Sequence, residues 1–154
     1  EPALLHVLKS LREREGYTPE LVVFLQATSP IRADDAVDAA IRQMRRENTD
    51  SLVSVCASHD FLWTTRGDGG VPVNYDPARR PRRQDMDPQF RENGSMYVMR
   101  AAGLERHACR IFGKVALFEQ PMLHGFQIDT PEDFRLCEAV FEMLSARNPT
   151  EARL

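Results

Sequence analysis

Four polar residues follow directly on an apolar run in this chain. Gln26, Thr28, Ser29 and Arg32 close the stretch Leu21–Arg32, read as LVVFLQATSPIR. An amide, two hydroxyls and a guanidinium so close together could hydrogen-bond a polar or anionic ligand. A second concentration lies in DPARRPRRQDMDPQFR, where Arg79, Arg80, Arg82, Arg83 and Arg91 stand among prolines. Their forked donors suit a clamp for an anion, either a phosphate or a sugar carboxylate. Both clusters also have plain readings. Thr28-Ser29-Pro30 is ordinary turn chemistry, and the arginines suit a solvated loop.

Other chemistry-bearing residues point nowhere in particular. Cys56, Cys109 and Cys137 are far apart and form no C-x-x-C pair, so they read as buried, reduced thiols. His6 lies beside a helical apolar stripe and reads as a packing residue. The cluster Gly67-Asp68-Gly69-Gly70 is followed by no lysine and opens no helix, so it reads as a hairpin turn and not a phosphate loop.

The elements that must position these residues follow from periodicity. Pro2–Glu15 reads as a helix with Leu4, Leu5, Leu8 and Leu11 on one face, stopped by Gly16. Leu21–Leu25 is too short for a helix and suits a strand covered on both faces. A helix over 33–47 follows, with Ala36, Val37, Ala40, Ile41 and Met44 inward. Ser51–Ser58 is the next strand. Short strands at 61–66 and 71–75 flank the glycine turn, and 76–91 is irregular. Asn93-Gly94 leads into a strand over 96–100. A short helix over 102–108, a strand over 115–118, a loop and a strand end at 126–129 come next. Thr130-Pro131-Glu132-Asp133 opens the last helix as a capping box, with Phe134, Cys137, Val140, Phe141 and Leu144 as its buried face. The tail after Arg147 is expected to fray. Alternating helices and strands predict an α/β fold: a mostly parallel sheet flanked by helices, binding its ligand at the carboxyl end of the strands.

With 154 residues the chain has the size of one domain. A net charge of −3 gives no general attraction to nucleic acid or membrane, and no apolar run approaches a membrane span. The cysteine usage and the lack of a secretory signal point to the cytoplasm. The chain begins at Glu1, inside what reads as a helix, which predicts an N-terminally truncated single domain.

Three motifs, L-Q-A-T-S-P-I-R at 25–32, R-Q to N-G-S-M-Y over 83–97 and Q-I-D-T-P-E-D-F at 127–134, occur in an order and spacing that resembles the acylneuraminate cytidylyltransferases, or CMP-sialic acid synthetases. The resemblance spans about Leu4 to Leu144. It implies a Rossmann-like nucleotidyltransferase fold with a small irregular or antiparallel dimerisation and substrate-loop insertion at 59–92. It implies transfer of CMP from CTP to an acidic nine-carbon sugar with release of pyrophosphate and with Mg²⁺ offsetting phosphate charge. It assigns substrate contacts to Gln26, Thr28, Ser29, Arg32, Arg83, Gln84, Asn93, Gly94 and Tyr97. It assigns catalysis to Arg83 and Asp129, with Asp129 also as metal ligand, and it implies a homodimer, with Phe61, Trp63 and Tyr75 near the interface.

Two positions depart from the family pattern. Ala27 stands where a proline is usual. Gln127 replaces the first aspartate of D-I-D, and an amide is a poorer Mg²⁺ ligand than a carboxylate. The family's opening strand and its phosphate-holding loop have no counterpart here, so the chain alone is expected to be inactive on CTP. The competing readings are a transferase for a shorter acidic sugar such as 3-deoxy-manno-octulosonate, a non-catalytic dimerising sugar-binding module, and RNA binding through Arg79–Arg91.

Overall fold

A computed structural model describes residues 1–147; the expectation for the tail falls outside them. The chain divides into two compact units, one formed by 1–56 with 92 onward and the other by 57–91.

The first unit is built on a four-stranded sheet of order β1-β5-β2-β6, from β1 (Leu21–Leu25), β2 (Ser51–Ser58), β5 (Gln89–Arg100) and β6 (Val115–Glu119). Strand β2 pairs in parallel with β6, and β1 pairs antiparallel with β5. The Arg100 N–H donates to the Asp50 carbonyl and the Met96 N–H to Ser54 Oγ, so β5 also runs against β2. Three strands therefore point one way, and β5 is inserted among them in reverse. The sheet is mixed, not mostly parallel as the alternation of elements suggested, because β5 arrives from the 57–91 unit and not from a crossover helix.

Helices cover both faces. Helix α1 (Pro2–Glu15) lays Leu4, Leu5 and Leu8 over Val22, Phe24, Val53, Val55, Tyr97 and Met99. Gly16 ends it at φ 66°, a left-handed cap that glycine adopts without strain. On the other face, helix α2 (Ala36–Glu47) buries Ala40 and Met44 against Leu52, Met96, Val98 and Ala116. It starts three residues later than the sequence suggested, because Asp34 and Asp35 form the turn before it. Neighbours on β5 thus alternate sides, Tyr97 and Met99 toward α1, Met96 and Val98 toward α2, as a pleated strand requires.

Helix α3 (Ala101–His107) follows β5 directly. Cys56 and Cys137 are buried as expected, but Cys109 is exposed, because it falls in the bend after α3. Segment 126–129 is not a strand; one hydrogen bond, Ile128 N–H to the Thr28 carbonyl at 2.8 Å, straps it to the turn after β1. Helix α4 (Pro131–Arg147) packs Cys137, Val140 and Leu144 with Ile31, Leu123, Phe126 and Ile128. Two members of its expected buried face are exposed instead, Phe134 at 51% and Phe141 at 47%. Its contact is narrower than its apolar stripe, which leaves an apolar groove between these rings and Pro30, Ile31 and Ile128.

The second unit holds a two-residue hairpin, β3 (Trp63–Arg66) with β4 (Gly69–Pro72), turning at Gly67 with φ 61°. Two short 3₁₀ turns, Pro77–Arg79 and Arg83–Asp85, follow it. Tyr75 meets Phe61 edge-on at 4.8 Å and Trp63 at 6.1 Å.

Candidate functional site

The carboxyl ends of β1, β2 and β6 and the midpoint of β5 meet at one edge of the sheet, since Leu25 pairs with Met96 and Val55 with Glu119. Asn93-Gly94 does not lead into the strand as a turn; it lies within β5 as an irregularity, with Gly94 at φ 65°. A β-carbon at Gly94 would fall 2.4 Å from Gln26 Oε1 and 2.8 Å from Gln127 Nε2. Two side-chain amides, from the end of β1 and from the 126–129 strap, thus close on one glycine whose φ of 65° disfavours any side chain there.

Asn93 sits beneath this surface and is fully buried. Its Oδ1 accepts from Ser54 Oγ at 2.6 Å and from the Ser95 N–H at 3.1 Å. Its Nδ2 donates to Gln120 Oε1 at 2.8 Å and toward Cys56 Sγ at 3.5 Å. Its carbonyl accepts from Ser29 Oγ at 3.3 Å. Both polar atoms of the side chain and the carbonyl are engaged, as burial demands. Expected to line a pocket, Asn93 instead ties the ends of β1, β2 and β6 to β5. Tyr97 is likewise interior. Its ring stacks on Phe24 at 6.0 Å, and its hydroxyl donates to the Glu92 carboxylate. Burial, reinforced by Glu92, pushes that phenol up to about 12.

Ser29 is fully buried, while Thr28 is exposed and contributes its carbonyl to the strap. Arg32 bends back as a clamp. Its Nε donates to Ser95 Oγ at 3.2 Å, and one terminal nitrogen donates to the carbonyls of Ser29 at 3.1 Å and Ser95 at 2.9 Å. Burial lowers its pKa, and among the described residues the guanidinium is held by carbonyls and a hydroxyl with no carboxylate against it.

Asp129 lies just beyond the strap, and its side chain is exposed. Its backbone N–H donates to Asp133 Oδ2 at 3.1 Å. The same oxygen accepts from the Thr130 N–H at 2.8 Å and hydroxyl at 2.9 Å, completing the capping box. The Thr130 hydroxyl, and then these N–H groups, hold the Asp133 carboxyl below its ordinary value. Asp133 is therefore committed to the helix cap, while Asp129 faces solvent. Among the described residues, no three His, Cys, Asp or Glu side chains gather to hold a cation. Asp129 fits the lesser demand of Mg²⁺, which takes one or two carboxylates and fills its remaining sphere with water and phosphate oxygens.

Arg83 and Gln84 fall in the second unit, exposed on the 83–85 turn. Their neighbour Arg82 pairs with Asp85 at 2.6 Å, Arg79 pairs with Asp76 at 3.2 Å, and Arg80 covers the Phe61 ring at 4.1 Å. Of the expected residues, the structure brings Gln26, Thr28, Ser29, Arg32, Asn93, Gly94 and Asp129 to one edge of the first unit.

Ser54 and Gln120 belong to this edge and were not anticipated. Ser54 had a signal, a hydroxyl amid an apolar strand that must find a partner once buried. Gln120 had a weaker one, since it ends β6 as Gln26 ends β1. Arg110 was missed altogether: it grips Glu1 at 2.7 Å and lies 5.0 Å from the Phe24 and Tyr97 rings. That guanidinium holds the Glu1 carboxyl down at about 2.

Comparison with known proteins places this edge in a family context. No protein-family model matches the chain. The chain is 34% identical over 137 residues to the N-acylneuraminate cytidylyltransferase of Oncorhynchus mykiss, covering 85% of the chain and 31% of the relative. It is 31% identical over the same share of the chain to N-acylneuraminate cytidylyltransferase A of Danio rerio, and 26% identical over 73% of the chain to the Streptococcus agalactiae enzyme. The chain thus spans about a third of the length of the curated relatives it matches. In fold it is similar to the 4-diphosphocytidyl-2C-methyl-D-erythritol synthase of Anaerococcus prevotii, with a TM-score of 0.59 at 13% identity over 90% of the chain and 66% of that protein. The helix-flanked mixed sheet is therefore of a Rossmann-like kind, the fold it shares with that protein.

Proposed function

We propose, for a chain whose curated homologues are N-acylneuraminate cytidylyltransferases, that it is the sugar-binding part of an enzyme that joins CTP to an acidic nonulosonic sugar. The products are a CMP-sugar and pyrophosphate. The observation that supports the reading is the meeting, on one sheet edge, of one part of each of the three motifs: Gln26, Asn93-Gly94 and the 127–129 strap, with Gln26 and Gln127 against Gly94 and Asp129 alongside.

Each group then has a role its surroundings support. Gln26 hydrogen-bonds the sugar. The buried Asn93 hub and the Arg32 clamp keep the loop rigid, so the amide is held in place before the ligand arrives. Thr28 and Ser29 shape the turn, and Gly94, with no side chain, leaves the space in which the Gln26 and Gln127 amides meet. Arg83 and Gln84, exposed on the second unit, meet anionic substrate, which a guanidinium fork suits. Asp129 holds Mg²⁺ together with substrate phosphates, and the metal when bound supplies charge neutralisation during nucleotidyl transfer. The second unit exposes Leu62, Trp63 and Val73, apolar surface of the kind a second copy would cover in a homodimer. Among the described residues, no helix is long and apolar enough to cross a membrane. A cytoplasmic site of action is part of the proposal.

The test is an assay of the full-length protein with CTP, Mg²⁺ and N-acetylneuraminate, following CMP-sugar by chromatography. Product from the full-length protein and none from residues 1–154 alone is the expected pair of results. Failure of the full-length protein with every acidic sugar offered, 3-deoxy-manno-octulosonate included, favours the non-catalytic sugar-binding module. Turnover by the 154-residue chain alone overturns the assignment of only the sugar side to it.

A further inference from the structure

The residue that breaks the family pattern sits at the centre of the convergence. Gln127 occupies the place of a metal-binding aspartate, yet its amide nitrogen lies against Gly94 beside the amide oxygen of Gln26. The two amides come from segments about a hundred residues apart. The strap from Ile128 to Thr28 pins their backbones together. Both side chains are half-buried, and among the described residues neither amide has a protein hydrogen-bond partner. This contrasts with Asn93 one residue away, whose side-chain oxygen and nitrogen are both engaged. A pair of half-buried, unengaged amides held against a bare glycine has hydrogen-bonding capacity to spare for a ligand.

From this geometry we infer that Gln127 is a sugar-binding residue: with Gln26 it grips the hydroxyl-bearing carbons of the acidic sugar, in place of a second metal carboxylate. An amide oxygen and an amide nitrogen side by side complement a hydroxyl, which gives one proton and accepts another. A carboxylate at 127 could only accept, and it would add a negative charge facing an anionic ligand. The substitution therefore exchanges metal ligation for sugar contact and leaves Asp129 as the protein's single carboxylate there. The inference rests on the sugar-activating reading above.

The experiment compares the full-length wild type with Gln127→Glu, Gln127→Ala and Gly94→Ala. Gln127→Glu preserves length and changes only charge and donor capacity. Gly94→Ala places a methyl that displaces both amides while leaving their chemistry unchanged, at the cost of backbone strain at a φ of 65°. The expected result is a rise of about tenfold or more in the KM for N-acetylneuraminate in all three variants. The KM for CTP should stay within about twofold, and thermal unfolding of the Gln127 variants near wild type. A sugar KM within about twofold of wild type in both Gln127 variants overturns the inference, whatever happens to kcat. Isothermal titration of the same proteins with N-acetylneuraminate separates this failure from that of the parent reading. If the wild type binds sugar but forms no CMP-sugar, the transferase reading fails, while weakened binding by the variants still supports Gln127 and equal binding overturns it. If the wild type does not bind the sugar, both fall.

Discussion

The stretch 93–95 within β5 and the strap leading to α4 at 127–133 stand side by side, and both carry motifs on which the resemblance rests. They use their polar groups in opposite ways. In the first, Asn93 and Ser95 are fully buried, and the Asn93 side chain bonds inward to Ser54, Gln120 and Cys56. In the second, Asp133 is spent on the helix cap, while Asp129 is exposed and Gln127 leans on Gly94. The difference teaches that a motif residue can serve a site by holding its frame or by touching its ligand. Burial and hydrogen-bond engagement separate the two roles where residue type does not.

The sharpest way to break this contrast is Asn93→Ala. It strands the Ser54 hydroxyl and the Gln120 amide in the interior, each costing about 1–3 kcal/mol. The expected loss is about 3 kcal/mol or more, read as a large fall in the urea midpoint; a stability within error of wild type would mean the hub is not the frame. Next comes Arg32→Ala, which frees the carbonyls of Ser29 and Ser95 and the Ser95 hydroxyl. The cost should be about 2 kcal/mol, with Arg32→Lys recovering only part, because an ammonium cannot span the same acceptors.

Thr130→Ala removes the capping hydroxyl and should lower Tm by about 2–4 °C. It also carries a pH signature. Asp133 has a depressed pKa in the folded state, so its contribution is present above its unfolded value and is lost as pH falls through the lower folded value. Removing its chief hydrogen-bond donor should shrink the difference in stability between neutral and strongly acidic solution. Unfolding curves with the same acid dependence as wild type would count against the cap. The smallest structural effect belongs to Asp129→Asn, within about 0.5 kcal/mol of wild type. The same change should reduce CMP-sugar formation by the full-length protein by roughly a hundredfold at saturating Mg²⁺. A clear loss of folding stability there would place Asp129 in the frame with Asn93.

Strand β1 adds a warning for any such experiment. One of its edges pairs with β5, and among the described residues the other has no strand partner. An open edge on LVVFL is a template for association, so these measurements belong at low protein concentration.

Much of the fold was legible in order of residues. Pro2 and Gly16 bound α1, the unbroken run Leu21–Leu25 is β1, and Thr130-x-x-Asp133 opens α4 with the bonds its spacing promised. These succeed because caps, turns and periodicity act over a few neighbouring residues, which the chain itself displays. The reversal of β5, its passage straight through Asn93-Gly94 and the exposure of Phe134 and Phe141 were not legible. A strand's residues record which faces are covered, not which direction its neighbours run, and a helix's apolar stripe does not say how wide a surface awaits it. For the site, the resemblance carried by the motif order implied that an amide, an asparagine, a glycine and a carboxylate should gather. Only the tertiary structure decided that Asn93 is consumed inside while, among the described residues, Gln26 and Gln127 keep their amides unengaged. The reason is physical: a buried polar group must be satisfied by whatever surrounds it, and those surroundings are assembled from four strands whose meeting no single stretch of sequence contains.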